Sequence, residues 1–311
     1  MRGSTTPDVD RIKQGARWLW SQGDYSQLAR LLEAPAIDLA ARCVSPGLRV
    51  LDVAAGNGNF ALAAARRGGV VTATDLSPRM VELGRARSAA EAFSIEWGEA
   101  DAESLPFPDA GFDVVASVFG AMFAPRPAVI AAEMFRTVRP GGTVAMANYR
   151  PEGYLMRLSE LIGGFSTQPA PELPSPFAWG DPAEVRRRLE PFAADLQLEA
   201  RVLHFEFESF SDWQARFAGV NPPLMGMKAL LPAAAYDGLI QDSWSLAQEL
   251  NVGTGAVVLE SGYLAVLATS PRGSPPRRRA RAGRGPRAPD CRRSGSRRPP
   301  EAAHRRSRLG G

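Results

Sequence analysis

Residues 51–61 read LDVAAGNGNFA, and no other stretch constrains the fold as tightly. A short, nearly continuous apolar run, Leu48 to Ala54, stops at Gly56-Asn57-Gly58 and passes directly into the Ala-rich segment Asn59 to Arg67. Such a run suits a strand buried on both faces. The glycines lack Cβ, so a ligand can come close to the backbone, and the first turn of the following helix offers unpaired N–H groups. The unit then recurs. Val70 to Thr74 reads as a strand ending at Asp75, and Ser77-Pro78 opens a helix to about Ala92 with Ser77 as N-cap. Ser94 to Glu99 and Phe112 to Val118 read as strands, Pro127 to Val138 as a helix, and Thr143 to Tyr149 as a fifth strand after Arg139-Pro140-Gly141-Gly142. Strands and helices alternating with short links predict an α/β fold, a parallel sheet covered on both faces.

The flanks follow other rhythms. Residues 11–42 carry Trp18, Leu19, Leu28, Leu31 and Leu32 at helical spacings, interrupted by Ser21-Gln22-Gly23-Asp24. Beyond Pro151 the segment Gly163 to Gly180 is rich in Pro, Ser and Gly, and Asp181-Pro182 opens a helix. Val202 to Phe210 alternates as a strand, residues 211–250 read as helical with a break at Asn221-Pro222-Pro223, and Ala256 to Ser270 holds the last strand. The expected organisation is an N-terminal helical lid (1–45), a main domain (46–270) with a cap insertion at about 160–200 and a helical segment at 211–250, and a tail (271–311).

Charge separates that tail from the rest. Residues 271–311 hold 14 arginines against Asp290 and Glu301, whereas the first 270 residues hold 23 basic and 31 acidic side chains. The tail has almost no large apolar residues and is expected to be disordered, because it cannot offset its ordering entropy by burial. An Arg-rich run could bind nucleic acid, but no aromatics interleave it to stack on bases, so a nucleic-acid partner is not expected. No signal peptide or membrane-length apolar run is visible, and Cys43 and Cys291 form neither a disulfide framework nor a metal knuckle. These features predict a cytoplasmic protein without a metal site.

The chemistry starts at the glycines. Asp75 ends the next strand 17 residues after Gly58 and can accept hydrogen bonds from both hydroxyls of a ribose. That much fits an NAD(P)-dependent oxidoreductase as well as a methyltransferase. The dinucleotide fingerprint calls for a third glycine at position 61, where this chain has Ala61. An oxidoreductase would also show a Tyr-x-x-x-Lys pair or a comparable acid, and the only lysines, Lys13 and Lys228, lack that context. Ala100-Asp101-Ala102-Glu103-Ser104-Leu105-Pro106-Phe107 followed by Phe112-Asp113-Val114-Val115 points the other way.

With LDVAAGNGNFA, TATDLSPRMVELGRAR, EADAESLPFPDAGFDVV and FRTVRPGGTVAMANY in this order, the chain resembles the class I S-adenosyl-L-methionine-dependent methyltransferases. The likeness is to the group that methylates quinones and small molecules such as natural products. It covers roughly residues 15–160 and extends more loosely to about 270. One departure is Ala54, where the family often has glycine. The resemblance implies a doubly wound, seven-stranded, mostly parallel Rossmann-like sheet with S-adenosyl-L-methionine as cofactor. It implies that Asp52, Ala54, Gly56 and Gly58 line the methionyl part of the cofactor, that Asp75 holds the ribose, and that Leu76 and Met80 lie beside the adenine. It further implies that Asp101 accepts from the adenine amino group, that the Ala102 N–H meets a ring nitrogen, and that Ser117 offers its carbonyl near the cofactor's amino group.

An acceptor pocket is expected beyond the carboxyl ends of the strands. Its candidate lining is Trp20, Tyr25, Phe119, Met122, Phe123, Tyr149, Tyr154 and Trp179, which suits a hydrophobic or aromatic small molecule. Such a reaction can be driven by positioning alone, and no catalytic base is assigned. His204 is expected on a solvated strand face. Asn221-Pro222-Pro223 resembles the Asn-Pro-Pro signature of enzymes that methylate base amines. That signature belongs directly after the fourth strand, so here the motif reads as an ordinary helix breaker.

Overall fold

The computed structural model describes residues 8–23, 25–166 and 173–273, so the arginine-rich run expected to be disordered lies outside the described residues apart from its first three. Apolar runs become strands. The strands are β1 (Arg49–Val53), β2 (Val70–Asp75), β3 (Glu96–Glu99), β4 (Phe112–Val118), β5 (Val138–Tyr149), β6 (Asp195–Phe207) and β7 (Val257–Thr269). They form one sheet in the order β3-β2-β1-β4-β5-β7-β6. β1 to β5 run parallel, and β7 lies antiparallel to both β5 and β6.

Side-chain alternation sends successive residues to opposite faces. Val50, Val114, Val71 and Ala145 face a layer built from α3 (Glu33–Cys43), α4 (Asn59–Arg66) and α5 (Pro78–Ala90). Leu51, Val53, Val115, Val144 and Met146 face the other core. That core takes in α6 (Pro127–Thr137), α7 (Tyr154–Gly164), α8 (Pro182–Leu189), α10 (Pro222–Leu230) and α11 (Ala233–Glu249). Two further helices, α1 (Val9–Leu19) and α2 (Tyr25–Leu31), precede the sheet, and a short α9 (Phe210–Trp213) continues as a wider turn over Gln214–Ala218.

Two expectations are corrected. The turn at Arg139–Gly142 lies inside β5, which starts at Val138 and regains register with β4 after an irregularity between Phe112 and Val114. β6 begins at Asp195 rather than Val202, because all 13 of its residues pair with β7. Within the 160–200 stretch expected as a cap, residues 195–200 are therefore sheet. Ser77 holds the N-cap position of α5 and Pro78 its first turn, as expected; the Ser77 hydroxyl makes no capping bond, and its backbone N–H donates to Asp75 Oδ1 at 2.8 Å. Asn221-Pro222-Pro223 does break the helical stretch, between the turn ending at Ala218 and α10, and it also starts the next helix: Asn221 Oδ1 accepts from the Leu224 N–H at 3.2 Å and Pro222 opens α10.

Candidate active site

The strand order reverses at β1, which pairs with β2 on one side and β4 on the other. A crevice is expected where the loops leaving two such strands diverge. The loops after β1, β2, β3 and β4 do line an open cleft there. Ala54 and Gly56 come from the first loop, Asp75, Leu76 and Met80 from the second, Ala100, Asp101 and Ala102 from the third, and Phe119 to Ala121 and Phe123 to Pro125 from the fourth.

Backbone geometry shapes this cleft. Gly56 and Gly58 have φ of 56° and 93°, and Ala54 shares the left-handed region at φ 53°. A methyl at position 54 is therefore held in a conformation that normally favours glycine. Phe119 also has φ 54°, unusual for a bulky residue. The next residue, Gly120, lies so close to the first loop that an added Cβ would sit 2.1 Å from the Ala54 carbonyl oxygen. The β1 and β4 loops are thus in backbone contact at the mouth of the cleft.

Two carboxylates mark its polar end. Asp75 accepts from the Gly56 N–H through Oδ2 and from the Ser77 N–H through Oδ1, both at 2.8 Å. Burial raises its pKa, while those N–H groups oppose the shift. Asp101 accepts from the Glu103 N–H through Oδ1 at 2.9 Å, and its Oδ2 takes the Lys13 ammonium at 2.5 Å. Arg136 fixes the segment beyond it by donating to the carbonyls of Leu105 and Phe107.

Asp52, Gly58 and Ser117 stand behind the cleft wall rather than on it. Asp52 Oδ2 accepts from the Ala61 N–H at 2.9 Å, and Oδ1 is buried without a partner. Burial pushes Asp52 well above the usual carboxylate range. Ser117 Oγ accepts from the Ala121 N–H at 2.9 Å and so shapes the β4 loop. A Cβ on Gly58 would come within 2.9 Å of the Trp97 ring.

A second cavity adjoins the first and shares Trp20, Tyr25, Phe119 and Phe123 with it. Tyr149 and Phe177 extend the aromatic wall, with Phe119 stacked on Tyr149 at 4.1 Å between ring centroids. Leu155, Leu158 and Ile162 come from α7, Phe205 from β6, Phe217 from the turn after α9, and Asn221 to Pro223 from the start of α10. No charged side chain lines this cavity among the described residues. The Tyr25 phenol is pushed above its ordinary pKa by burial and by the nearby Asp75 charge, so it is held protonated.

Three residues expected at the acceptor pocket lie elsewhere. Met122, Tyr154 and Trp179 are buried in the core and line neither cavity. The Tyr154 hydroxyl accepts from Trp213 Nε1 at 3.0 Å, and Trp179 lies under the Arg188 guanidinium. The contributions of α7, Phe205 and Phe217 were missed. The i, i+3, i+7 spacing of Leu155, Leu158 and Ile162 was the available signal for α7. His204 sits on the exposed face of β6 and pairs with Glu260, away from both cavities. Among the described residues no helix is long and apolar enough to cross a membrane, and no cluster suited to a metal ion occurs.

Comparison with known proteins agrees with this architecture. Residues 51–146 match the family described as Methyltransferase domain. The chain is 40% identical to Uncharacterized protein Rv1405c of Mycobacterium tuberculosis strain H37Rv over 171 residues, which is 54% of this chain and 62% of that protein. It is 39% identical to Demethylmenaquinone methyltransferase of Deinococcus radiodurans over 105 residues, 33% of this chain and 44% of that protein. The YcgJ protein of Bacillus subtilis superposes with a TM-score of 0.52 at 17% identity, covering 76% of this chain and 99% of that one. The match therefore spans less than two thirds of these curated relatives and nearly all of that fold.

Proposed function

We propose, starting from a chain that carries a class I methyltransferase domain, that this protein transfers a methyl group from S-adenosyl-L-methionine to a neutral, apolar small molecule of aromatic, polyketide-like or quinone type. The observation that carries the reading is the meeting of two unlike cavities. One ends in two carboxylates and is walled by Leu76, Met80 and Ala102; the other is uncharged and largely aromatic.

The residues present fit the cofactor. Asp75 is oriented by the Gly56 and Ser77 N–H groups, and its remaining lone pairs suit a ribose diol. Leu76 and Met80 offer apolar surface to an adenine, Asp101 an acceptor to its amino group, and the Ala102 N–H a donor to its ring. Ala54 and Gly56, backed by Asp52, Gly58 and the Ser117 carbonyl, would hold the methionyl part. When bound, the cofactor supplies a methyl group on a sulfonium, open to in-line displacement.

The chain's part is to bind, align and exclude water. Trp20, Tyr25, Phe119 and Phe123 form the passage between the cavities, where an acceptor atom would be directed toward the cofactor side. Tyr25, held as a phenol, can donate a hydrogen bond there but is not a base. With His204 outside the cavities, an acidic phenol, an enol or an amine suits this site, since such an acceptor loses its proton without a strong protein base.

Calorimetry with the full chain tests the reading, using S-adenosylhomocysteine with NADH and NADPH as controls. Binding of S-adenosylhomocysteine alone is expected. Binding of a nicotinamide cofactor in its place would transfer Asp75 and Asp101 to an oxidoreductase role.

A further inference from the structure

The first helix crosses the cleft yet has little of its own to hold it there. No residue of α1 is buried. Its near end rests on α10, where Leu19 and Trp18 cover Gly226 closely enough that a Cβ would meet Leu19 at 2.7 Å. Over the cleft it is tied by two cations. Arg17 Nε donates to the Leu76 carbonyl at 3.2 Å. Lys13 Nζ lies 2.5 Å from Asp101 Oδ2 and 2.6 Å from Glu103 Oε2, with only 12% of its side chain exposed.

The two carboxylates do not need Lys13 equally. Glu103 is fully buried, and it already accepts from the Arg126 backbone N–H at 2.6 Å and from Arg126 Nε at 2.8 Å. Asp101 Oδ1 is taken by the Glu103 N–H, which leaves Lys13 as the partner of Oδ2. Lys13 and Asp101 both line the cleft, beside Met80, Leu76 and Ala102. The ammonium thus stands where a donor on a flat ring between Met80 and Ala102 would reach Asp101.

We propose that Lys13 is the latch of α1: it occupies Asp101 while the cleft is empty of adenosyl ligand, and it passes to Glu103 alone when an adenine amino group takes Oδ2. This inference rests on the reading of the cleft as an adenosyl site. The consequence reaches the second cavity, because the same N-terminal segment carries Trp20 and Tyr25. Freed from Asp101, Lys13 keeps its bond to Glu103 and Arg17 its bond to Leu76, so α1 pivots about those contacts rather than detaching, and the segment behind it shifts with it. Filling of the cofactor cleft is then coupled to the placing of two walls of the acceptor passage. Lys13 is a positioning residue in this scheme.

The scheme makes an unusual demand on binding kinetics. S-adenosylhomocysteine carries no net charge at neutral pH, so its association should be nearly indifferent to salt. If Lys13 must first leave Asp101, salt that weakens the ion pair speeds association. Stopped-flow fluorescence, with Trp18 and Trp20 on the moving segment as reporters, can follow this in the full-length protein. In the wild type the association rate is expected to rise as sodium chloride increases. In Lys13→Met the rate is expected to be roughly ten- to a hundredfold faster, the span set by a charge-assisted hydrogen bond of this kind, and flat with salt. Lys13→Arg, which keeps the charge, should retain the salt response and serves as the control for a folded α1. A slower or unchanged rate in Lys13→Met, or the same salt response in Lys13→Met and wild type, would overturn the latch. If the wild type bound no S-adenosylhomocysteine at all, the adenosyl reading itself would fall and the latch with it, an outcome distinct from binding without salt dependence.

Discussion

At the scale of single residues, the cleft depends on positions where side-chain bulk or charge is barely tolerated. Gly120 is the sharpest. Its missing Cβ would lie 2.1 Å from the Ala54 oxygen and 2.8 Å from the Ala54 Cβ, so the β1 and β4 loops could not both keep their places. Ala54 already holds a left-handed conformation and has no slack to give. Gly120→Ala is expected to cost about 1–3 kcal/mol, in the range of overpacking a rigid site, and to abolish S-adenosylhomocysteine binding; urea unfolding and calorimetry measure the two effects. Asp52 offers a pH signature. Burial lifts its pKa in the folded chain, so between the ordinary carboxylate value of about 4 and its folded value the native state keeps a proton that the unfolded chain releases. Native stability falls as pH rises through that window. Asp52→Asn removes the titration while Oδ1 of the new amide can still accept from Ala61. The variant's stability relative to wild type should therefore improve as pH rises above the ordinary carboxylate value of about 4, read as a growing difference in urea midpoints.

At the scale of elements, what could be read from the sequence followed the strength of the local pattern. β1, β2 and β4 are buried on both faces and bounded by glycine or aspartate, and their expected limits lie within a residue or so of those observed. β6 is an edge strand whose first half alternates exposed and half-buried residues, so Asp195 to Arg201 carried no continuous apolar signal. α7 ends in Gly163-Gly164 and follows Pro151, and those breakers masked its apolar spacing. The second cavity was least legible, because its walls come from β6, α7 and α10, which meet only through tertiary packing. Asn221-Pro222-Pro223 shows the gap between a motif and its place: it is a helix start, and it also lines that cavity. Removing the cap has a calculable cost. Asn221→Ala should lose about 1 kcal/mol of stability through fraying of the first turn of α10. It should leave S-adenosylhomocysteine affinity unchanged, since α10 does not line the first cavity. A thermal melt alongside calorimetry separates the two readouts.

At the scale of the whole molecule, the charge of the full chain and the charge of residues 1–273 have opposite signs. The full sequence has a net charge of +4, but residues 1–273 hold 24 basic and 31 acidic side chains. Within the described residues the sheet is completed by β7, and the strand is closed off by Ser270, whose N–H donates to the Gly142 carbonyl and whose carbonyl accepts from the Gly141 N–H. Every residue proposed to touch cofactor or acceptor lies before that point. A chain ending at Gly273 is therefore expected to keep its melting temperature and its S-adenosylhomocysteine affinity while its behaviour toward ions reverses. At pH 7 and low salt the shortened chain should bind an anion exchanger, whereas the full chain, through the 13 arginines that follow Gly273, should bind a cation exchanger. The same pair of proteins decides whether those arginines serve a partner. Arginine runs neutralise phosphates without reading sequence, so any nucleic-acid binding by the full chain should weaken steeply with salt. If titration with single-stranded RNA at physiological salt shows no difference between the two proteins, the charge is only a solvating one. If the full chain binds and the shortened one does not, at equal S-adenosylhomocysteine affinity, the arginines form a nucleic-acid arm on a body whose own surface is acidic.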